Sequence, residues 1–280
     1  MTTAPAHEIP PGPKVLLYGD TGTGKTHAIR SLVDLGLEVF VLSTEPGIQA
    51  VLGDVPADRL HWHYLSAVPG TWNSFQRAAA DFNQKTLKVM CDSVPDRSEF
   101  RQWMSLAATL ANFTDDRTGK EFGDPLSWDS SRAFVIDSMS GINILAQNAW
   151  LGAKPAMGPP DYQVIQKHIA DLFNRVCFGT KCWLVVTGHA EREEDELTRQ
   201  VKITIASVGR KLAPQLPRFF DEMIFCRREI EVRAGKPEAK FVWSSLEPGA
   251  TCKVRYLPWS QTLDPDFKAL HAAWKAKAAI

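Results

Sequence analysis

Short all-apolar runs alternate along the chain with amphipathic stretches, and several of the runs stop at a small or acidic residue. Residues 14–18 form one such run, closed by Gly19, and predict a buried strand. Residues 25–35 then show helical spacing at Ala28, Ile29, Leu32, Val33 and Leu35, with Gly36 as the stop. Residues 38–43 predict a second strand and 59–65 a third. Strand, helix and strand in this order imply parallel pairing through a right-handed crossover.

Residues 70–113 predict two helices broken near Pro95, and the polar, turn-rich stretch 114–131 predicts a loop. Residues 133–137 are again apolar and end in Asp137, followed by a helix over 141–151 and a flexible Gly/Pro-rich loop over 152–160. A long helix over 162–178 leads to a strand at 182–187, which ends at Gly188 and His189. A charge run over 191–196 gives way to alternation at Val201, Ile203 and Ile205, and Pro214 and Pro217 punctuate 209–220. Strands are predicted over 223–232, 240–245 and 252–257, then an amphipathic helix over 265–278. The fold class is α/β, a mainly parallel sheet flanked by helices with an antiparallel C-terminal extension. The expected organisation is a flexible tail over 1–12, a core over 13–258 with a helical insertion and loop at 66–131, and a helical end at 259–280.

Composition adds limits. Thirty-two basic residues balance thirty-two acidic ones, so a broadly basic nucleic-acid coat is excluded, although a local basic groove is not. Five cysteines without a CxxC pair signal neither a disulfide framework nor a zinc site. They read as buried thiols in a reducing, cytoplasmic setting. His61 and His63 share one strand face but lack a third ligand. No apolar run approaches the roughly 20 residues of a membrane span.

The most specific chemistry lies after the first strand. Gly19-Asp20-Thr21-Gly22-Thr23-Gly24-Lys25-Thr26, with His27 next, has the pattern GxxxxGK[ST] between a predicted strand and helix. Glycines let successive backbone N–H groups converge on phosphate oxygens, and the helix adds its positive end. Lys25 reaches the terminal phosphates, and the Thr26 hydroxyl can ligate Mg²⁺. Asp137 would hold the same Mg²⁺ through water. Ser138 follows Asp137, so the water-activating base must lie elsewhere. Parallel strands end on one side of a sheet, which makes Glu45, just past the second strand, the candidate base and His189 a candidate sensor of the terminal phosphate. A solvated Glu45 and a packed His189 are the plain alternatives.

The phosphate loop, the acid after the second strand, Asp137-Ser138 and the polar end of the next strand together resemble the RecA core. Thr44-Glu45-Pro46-Gly47, Asp137-Ser138-Met139, residues 211–214 with 220–222, and 257–258 with 265–267 narrow the resemblance. They look like the compact phage nucleotide-binding proteins that include the Sak-type single-strand annealing ATPases. The likeness covers about residues 13–268, with no counterpart for 66–131. It implies Mg²⁺-dependent ATP hydrolysis on single-stranded DNA in phage-type recombination, by annealing or strand exchange. It also implies a homo-oligomer (ring or filament), a single-strand DNA-binding protein as partner, and a cation donated by a neighbouring subunit. Arg210 and Lys211 are candidates for that cation. DNA-binding loops would fall at 152–161 and 190–208. There Lys154, Arg192, Arg199 and Lys202 would meet phosphates, and Tyr162 or Trp150 would stack on bases. The acids Glu191, Glu193, Glu194, Asp195 and Glu196 would repel a phosphate backbone. A DNA motor, or a nucleotide-switched loader with little turnover, stays open beside this reading.

Overall fold

The computed structural model describes residues 11–67, 70–92, 96–194, 196, 199–233 and 235–278. Strand β1 (Lys14–Gly19) runs into helices α1 (Lys25–Ala28) and α2 (Arg30–Asp34), then β2 (Glu38–Ser43) and β3 (Leu60–Tyr64). Helices α3 (Trp72–Gln84), α4 (Leu87–Asp92) and α5 (Gln102–Ala111) precede β4 (Arg132–Asp137), α6 (Met139–Leu151) and α7 (Pro159–Gly179). The chain closes with β5 (Trp183–Glu194), β6 (Val201–Ile205), β7 (Glu222–Arg233), β8 (Lys236–Ser244) and α8 (Lys268–Ala278).

The sheet order is β3-β2-β4-β5-β1-β7-β8, with β6 paired to β5 alone. Every neighbouring pair from β3 to β7 is parallel, and β8 closes the edge antiparallel to β7. The apolar runs are continuous rather than alternating because both sheet faces are covered. Leu16, Tyr18, Phe134, Ile136, Leu184 and Val186 face the layer of α6 and α7. Val15, Leu17, Val39, Val41, Val135 and Val185 face α1, α2 and α8. Parallel strands so arranged bring the C-terminal ends of β1, β2 and β4 to one rim, level with the middle of β5, where the phosphate loop begins.

Several expectations need correction. The stretch 70–113 forms three helices, not two; its first break is at residues 85–86, and Pro95 lies outside the described residues. The two last residues of the predicted tail are bound: Gly12 N–H donates to Lys181 O at 2.9 Å, and Pro11 O accepts from Trp274 Nε1 at 3.1 Å. Residues 1–10 lie outside the described residues. The expected strand over 252–257 is only an isolated bridge between Met223 and Lys253. There the buried Glu222 carboxylate takes the place of a partner strand, accepting from Arg255 N at 2.9 Å and Tyr256 N at 2.6 Å. After Gly209 the chain makes a 3₁₀ turn, Ala213–Arg218, because Pro214 and Pro217 remove the N–H groups an α-helix needs.

The most consequential difference is at 190–208. β5 does not stop near Thr187 but continues to Glu194, and its outer half pairs antiparallel with β6 from Ala190↔Ile205 to Glu194↔Val201. The expected second DNA loop is therefore largely a β-hairpin. Cross-strand opposition of Glu193 and Lys202 offsets the charge run that made it read as loop. Asp195 of that run lies outside the described residues.

Candidate functional site

The loop after β1 takes its shape from glycine. Gly22 and Gly24 have φ of 73° and 80°, a left-handed conformation that side chains disfavour. A Cβ on Gly19 would fall 2.0 Å from Cys226 O on β7. The Lys25 ammonium is folded into the loop, donating to Gly19 O at 3.0 Å, Asp20 O at 2.8 Å and Thr23 Oγ1 at 3.2 Å. Burial pushes its pKa down. Thr23 Oγ1 in turn donates to Asp20 O at 2.8 Å. Thr21 and His27 are exposed.

Three oxygen groups meet below the loop. Thr26 Oγ1 donates to Asp137 Oδ2 at 2.9 Å, and the Thr187 hydroxyl donates to Asp137 Oδ1. Burial raises the Asp137 pKa, against the lowering effect of these two hydroxyls. A Cβ on Gly47 would sit 3.6 Å from Thr26 Oγ1 and 3.7 Å from Asp137 Oδ2, so glycine leaves that side of the oxygen pair without a side chain. A hydroxyl, a carboxylate and adjacent room fit Mg²⁺, which keeps waters and substrate phosphates in its shell rather than an all-protein cage. No cluster of three or more His, Cys, Asp or Glu that could hold a metal occurs among the described residues.

Glu45 and Ser138, just past the ends of β2 and β4, converge with His189 from the middle of β5. Glu45 Oε1 accepts from the Ser138 hydroxyl, and Glu45 Oε2 lies 3.3 Å from His189 Nε2. His189 Nδ1 is 3.5 Å from Thr21 Oγ1. With the proton on Nε2, His189 donates to the carboxylate and can accept from Thr21, which links the acid to the phosphate loop. Thr44 anchors this rim: its Oγ1 accepts from Ser138 N at 2.9 Å and donates to Ser138 O at 3.1 Å. A Cβ on Gly141 would fall 2.1 Å from that Oγ1. Ser138 also caps α6, its side chain accepting from Ser140 N.

Of the sequence-derived DNA and trans-cation candidates, Lys154, Arg192, Arg199 and Arg210 pair with carboxylates of the chain itself. Lys154 Nζ lies 2.7 Å from Asp161 Oδ2, and the same carboxyl group takes bonds from Gly158 N and Trp150 Nε1, each at 2.8 Å. Lys154 and Trp150 thus brace the turn into α7 instead of standing free. Tyr162 packs beneath Gly209, 3.0 Å from where a Cβ would be, and is not an open stacking platform. Arg192 makes a two-point bond to Asp20 of the phosphate loop, at 2.6 and 2.8 Å. Arg199 pairs with Glu194 at 3.0 Å, and Lys202 is exposed on β6. Arg210 has a 90 % exposed side chain and pairs with Glu193 at 3.0 Å, while Lys211 is exposed beside it.

Asp161 supplies a pH test. Its carboxyl is pulled down to about 2, first by the Lys154 ammonium, then by Gly158 N–H and Trp150 N–H. The unfolded value is higher, near 3.8. The group therefore stabilises the fold above that unfolded value, and the contribution is lost as pH falls through about 2. Urea unfolding at pH 5 and pH 3 should show wild type losing on the order of 1 kcal/mol more than Asp161→Ala on acidification. Equal losses would mean the carboxylate does not brace this turn.

Sequence reasoning missed Thr44, Thr187 and the Arg192–Asp20 bond. It also missed Arg228 of β7, whose Nη1 lies 3.6 Å from a Cβ built on Gly22, and Phe241 of β8, which underlies Gly24. Only the strand-end position of Thr187, beside a strand ending in Asp137, could have pointed to one of them.

A mainly parallel sheet, a glycine-shaped loop closing on lysine at the end of β1, and a buried Asp bonded to the loop's threonine define a P-loop nucleotide-binding protein. The AAA domain family matches residues 11–256, and the chain belongs to that family of AAA-type P-loop ATPases. No curated protein matches the chain. No helix among the described residues is long and apolar enough to cross a membrane.

Proposed function

We propose that the chain binds ATP with Mg²⁺ on the phosphate loop and hydrolyses it with Glu45 as general base. The observation that carries this reading is the convergence of Glu45, His189 and Thr21 on the rim where Lys25, Thr26 and Asp137 meet. In this reading residues 19–27 line the phosphates, and the Lys25 ammonium moves from its loop oxygens to the phosphate chain. Thr26, and Asp137 through water, hold Mg²⁺, which neutralises phosphate charge when bound. Glu45 orients and deprotonates the attacking water, and His189 follows the terminal phosphate. Arg210 and Lys211 would serve a neighbouring copy, a role open to them because both side chains are exposed.

The reading extends to single-stranded DNA in phage-type recombination, by a cytoplasmic RecA-like homo-oligomer of Sak type working with a single-strand DNA-binding protein. Arg199 and Lys202 on the hairpin support it, and the acids Glu191, Glu193 and Glu194 beside them weigh against it. One observation favours a switch with little turnover instead: both Glu45 oxygens already have partners. Phosphate release by the purified chain, with Mg²⁺ and with or without single-stranded DNA, separates the two. Turnover stimulated several-fold by DNA is expected. ATP binding without turnover under either condition would move the assignment to the switch, and turnover indifferent to DNA would remove the DNA role.

A further inference from the structure

Asp20 puts a negative charge in the phosphate loop. It is the first residue after Gly19, its side chain is 54 % exposed, and its carboxylate stands at the mouth of a loop that must take up several negative charges. Left alone, it would oppose a triphosphate. It is not left alone: the Arg192 guanidinium grips it with two parallel bonds, at 2.6 and 2.8 Å, from the hairpin half of β5. These bonds are the first cause of the lowered Asp20 pKa, so the carboxylate is ionised. Arg228 stands against the other flank of the loop at Gly22 and makes no ion pair of its own among the described residues.

Two-point geometry is the same for a carboxylate and for a phosphate, and an arginine fork fits either. An ion pair with both side chains about half exposed is weakly held, so a stronger anion can displace the weaker one. Arg192 also lies only three residues beyond His189, whose ring is 3.5 Å from Thr21 in the same loop. Resting on the proposed ATP site, we infer that Asp20 is a resident stand-in for the nucleotide's terminal phosphate: Arg192 leaves the carboxylate for that phosphate when ATP binds. Arg192 then supplies a phosphate-binding cation from the same chain, beside any that a neighbouring copy adds. The β5–β6 hairpin that carries Arg192 is coupled to the identity of the nucleotide.

Calorimetric titration of the full chain with ATP and with ADP, each with Mg²⁺, tests the exchange in wild type, R192A and D20N. R192A should weaken ATP binding by about ten- to a hundredfold, the loss of a charge-assisted contact, with ADP affinity unchanged because ADP ends one phosphate short. D20N removes the competing anion and should shift the ATP-to-ADP affinity ratio upward. R192K, which keeps charge without the fork, should fall between wild type and R192A. An R192A chain with the wild-type ratio overturns the inference, and so does a D20N chain whose ratio stays level or falls. Wild-type protein that binds neither nucleotide overturns the underlying ATP-site reading instead, and does so before any variant is compared. Melting curves of the three variants confirm that folded protein was titrated.

Discussion

Lys25→Ala is expected to lower ATP turnover by at least about 10²- to 10³-fold, the scale set by removing one preorganised charge from a phosphoryl-transfer site. The ammonium is held inside the loop. It is nearly buried, it is bonded to Gly19 O, Asp20 O and Thr23 Oγ1, and its proton affinity is lowered by burial. It ties the loop into a curl through the loop's own oxygens. Alanine removes both the charge for the phosphates and the internal tie that shapes the loop, so binding and turnover should fall together. Thr23 still donates to Asp20 O, which keeps part of the turn. Lys25→Arg should not rescue, because a planar five-donor fork does not fit a pocket shaped around a single ammonium. Steady-state phosphate release and nucleotide titration check both; near-wild-type turnover in Lys25→Ala would sink the assignment of this loop.

Glu45→Gln should separate the two effects. A positioned general base contributes roughly 10²- to 10⁴-fold, so kcat should drop by that range while ATP affinity stays close to wild type. The substitution is nearly isosteric. The Gln carbonyl can still accept from Ser138 Oγ, and its amide can face His189 once that ring changes tautomer. The cluster thus survives while the proton acceptor is lost. Single-turnover kinetics under saturating ATP would read the chemical step directly. Turnover unchanged by the substitution would exclude Glu45 as the base and leave it as a structural tie between β2 and β4.

Much of this rim was legible in the sequence because the apolar runs themselves carry the information. Each run of β1, β2, β4 and β5 is long enough for a strand buried on both faces. In a parallel sheet the residues just past each C-terminal end must share a rim. Gly19 and Asp137 end their strands, Glu45 follows β2, and His189 sits where the apolar run of β5 gives out, level with Gly19. What was not legible depends on register and on how far a strand continues. β5 outlasts its apolar run by half its length, because Glu191 to Glu194 pair with β6 rather than bury. A charge run has no apolar signal to mark it as strand, so Arg192 read as a loop cation instead of a partner for Asp20. The absence of a strand at 252–257 has the opposite cause. Its apolar pattern suits a strand, but the buried Glu222 carboxylate satisfies the backbone first.

The length of β5 has one more consequence. Its inner half lies between β4 and β1 at the centre of the sheet, and its outer half pairs only with β6 in solvent. Backbone amides along this one strand must span nearly the whole range of local opening free energies, from global unfolding at Val185 to fraying near Glu194. The protected end fixes the baseline for deuterium uptake, and the exposed end varies above it. A change in uptake confined to residues 190–194 would thus read out the nucleotide, internally referenced by the same strand, with no label on the protein.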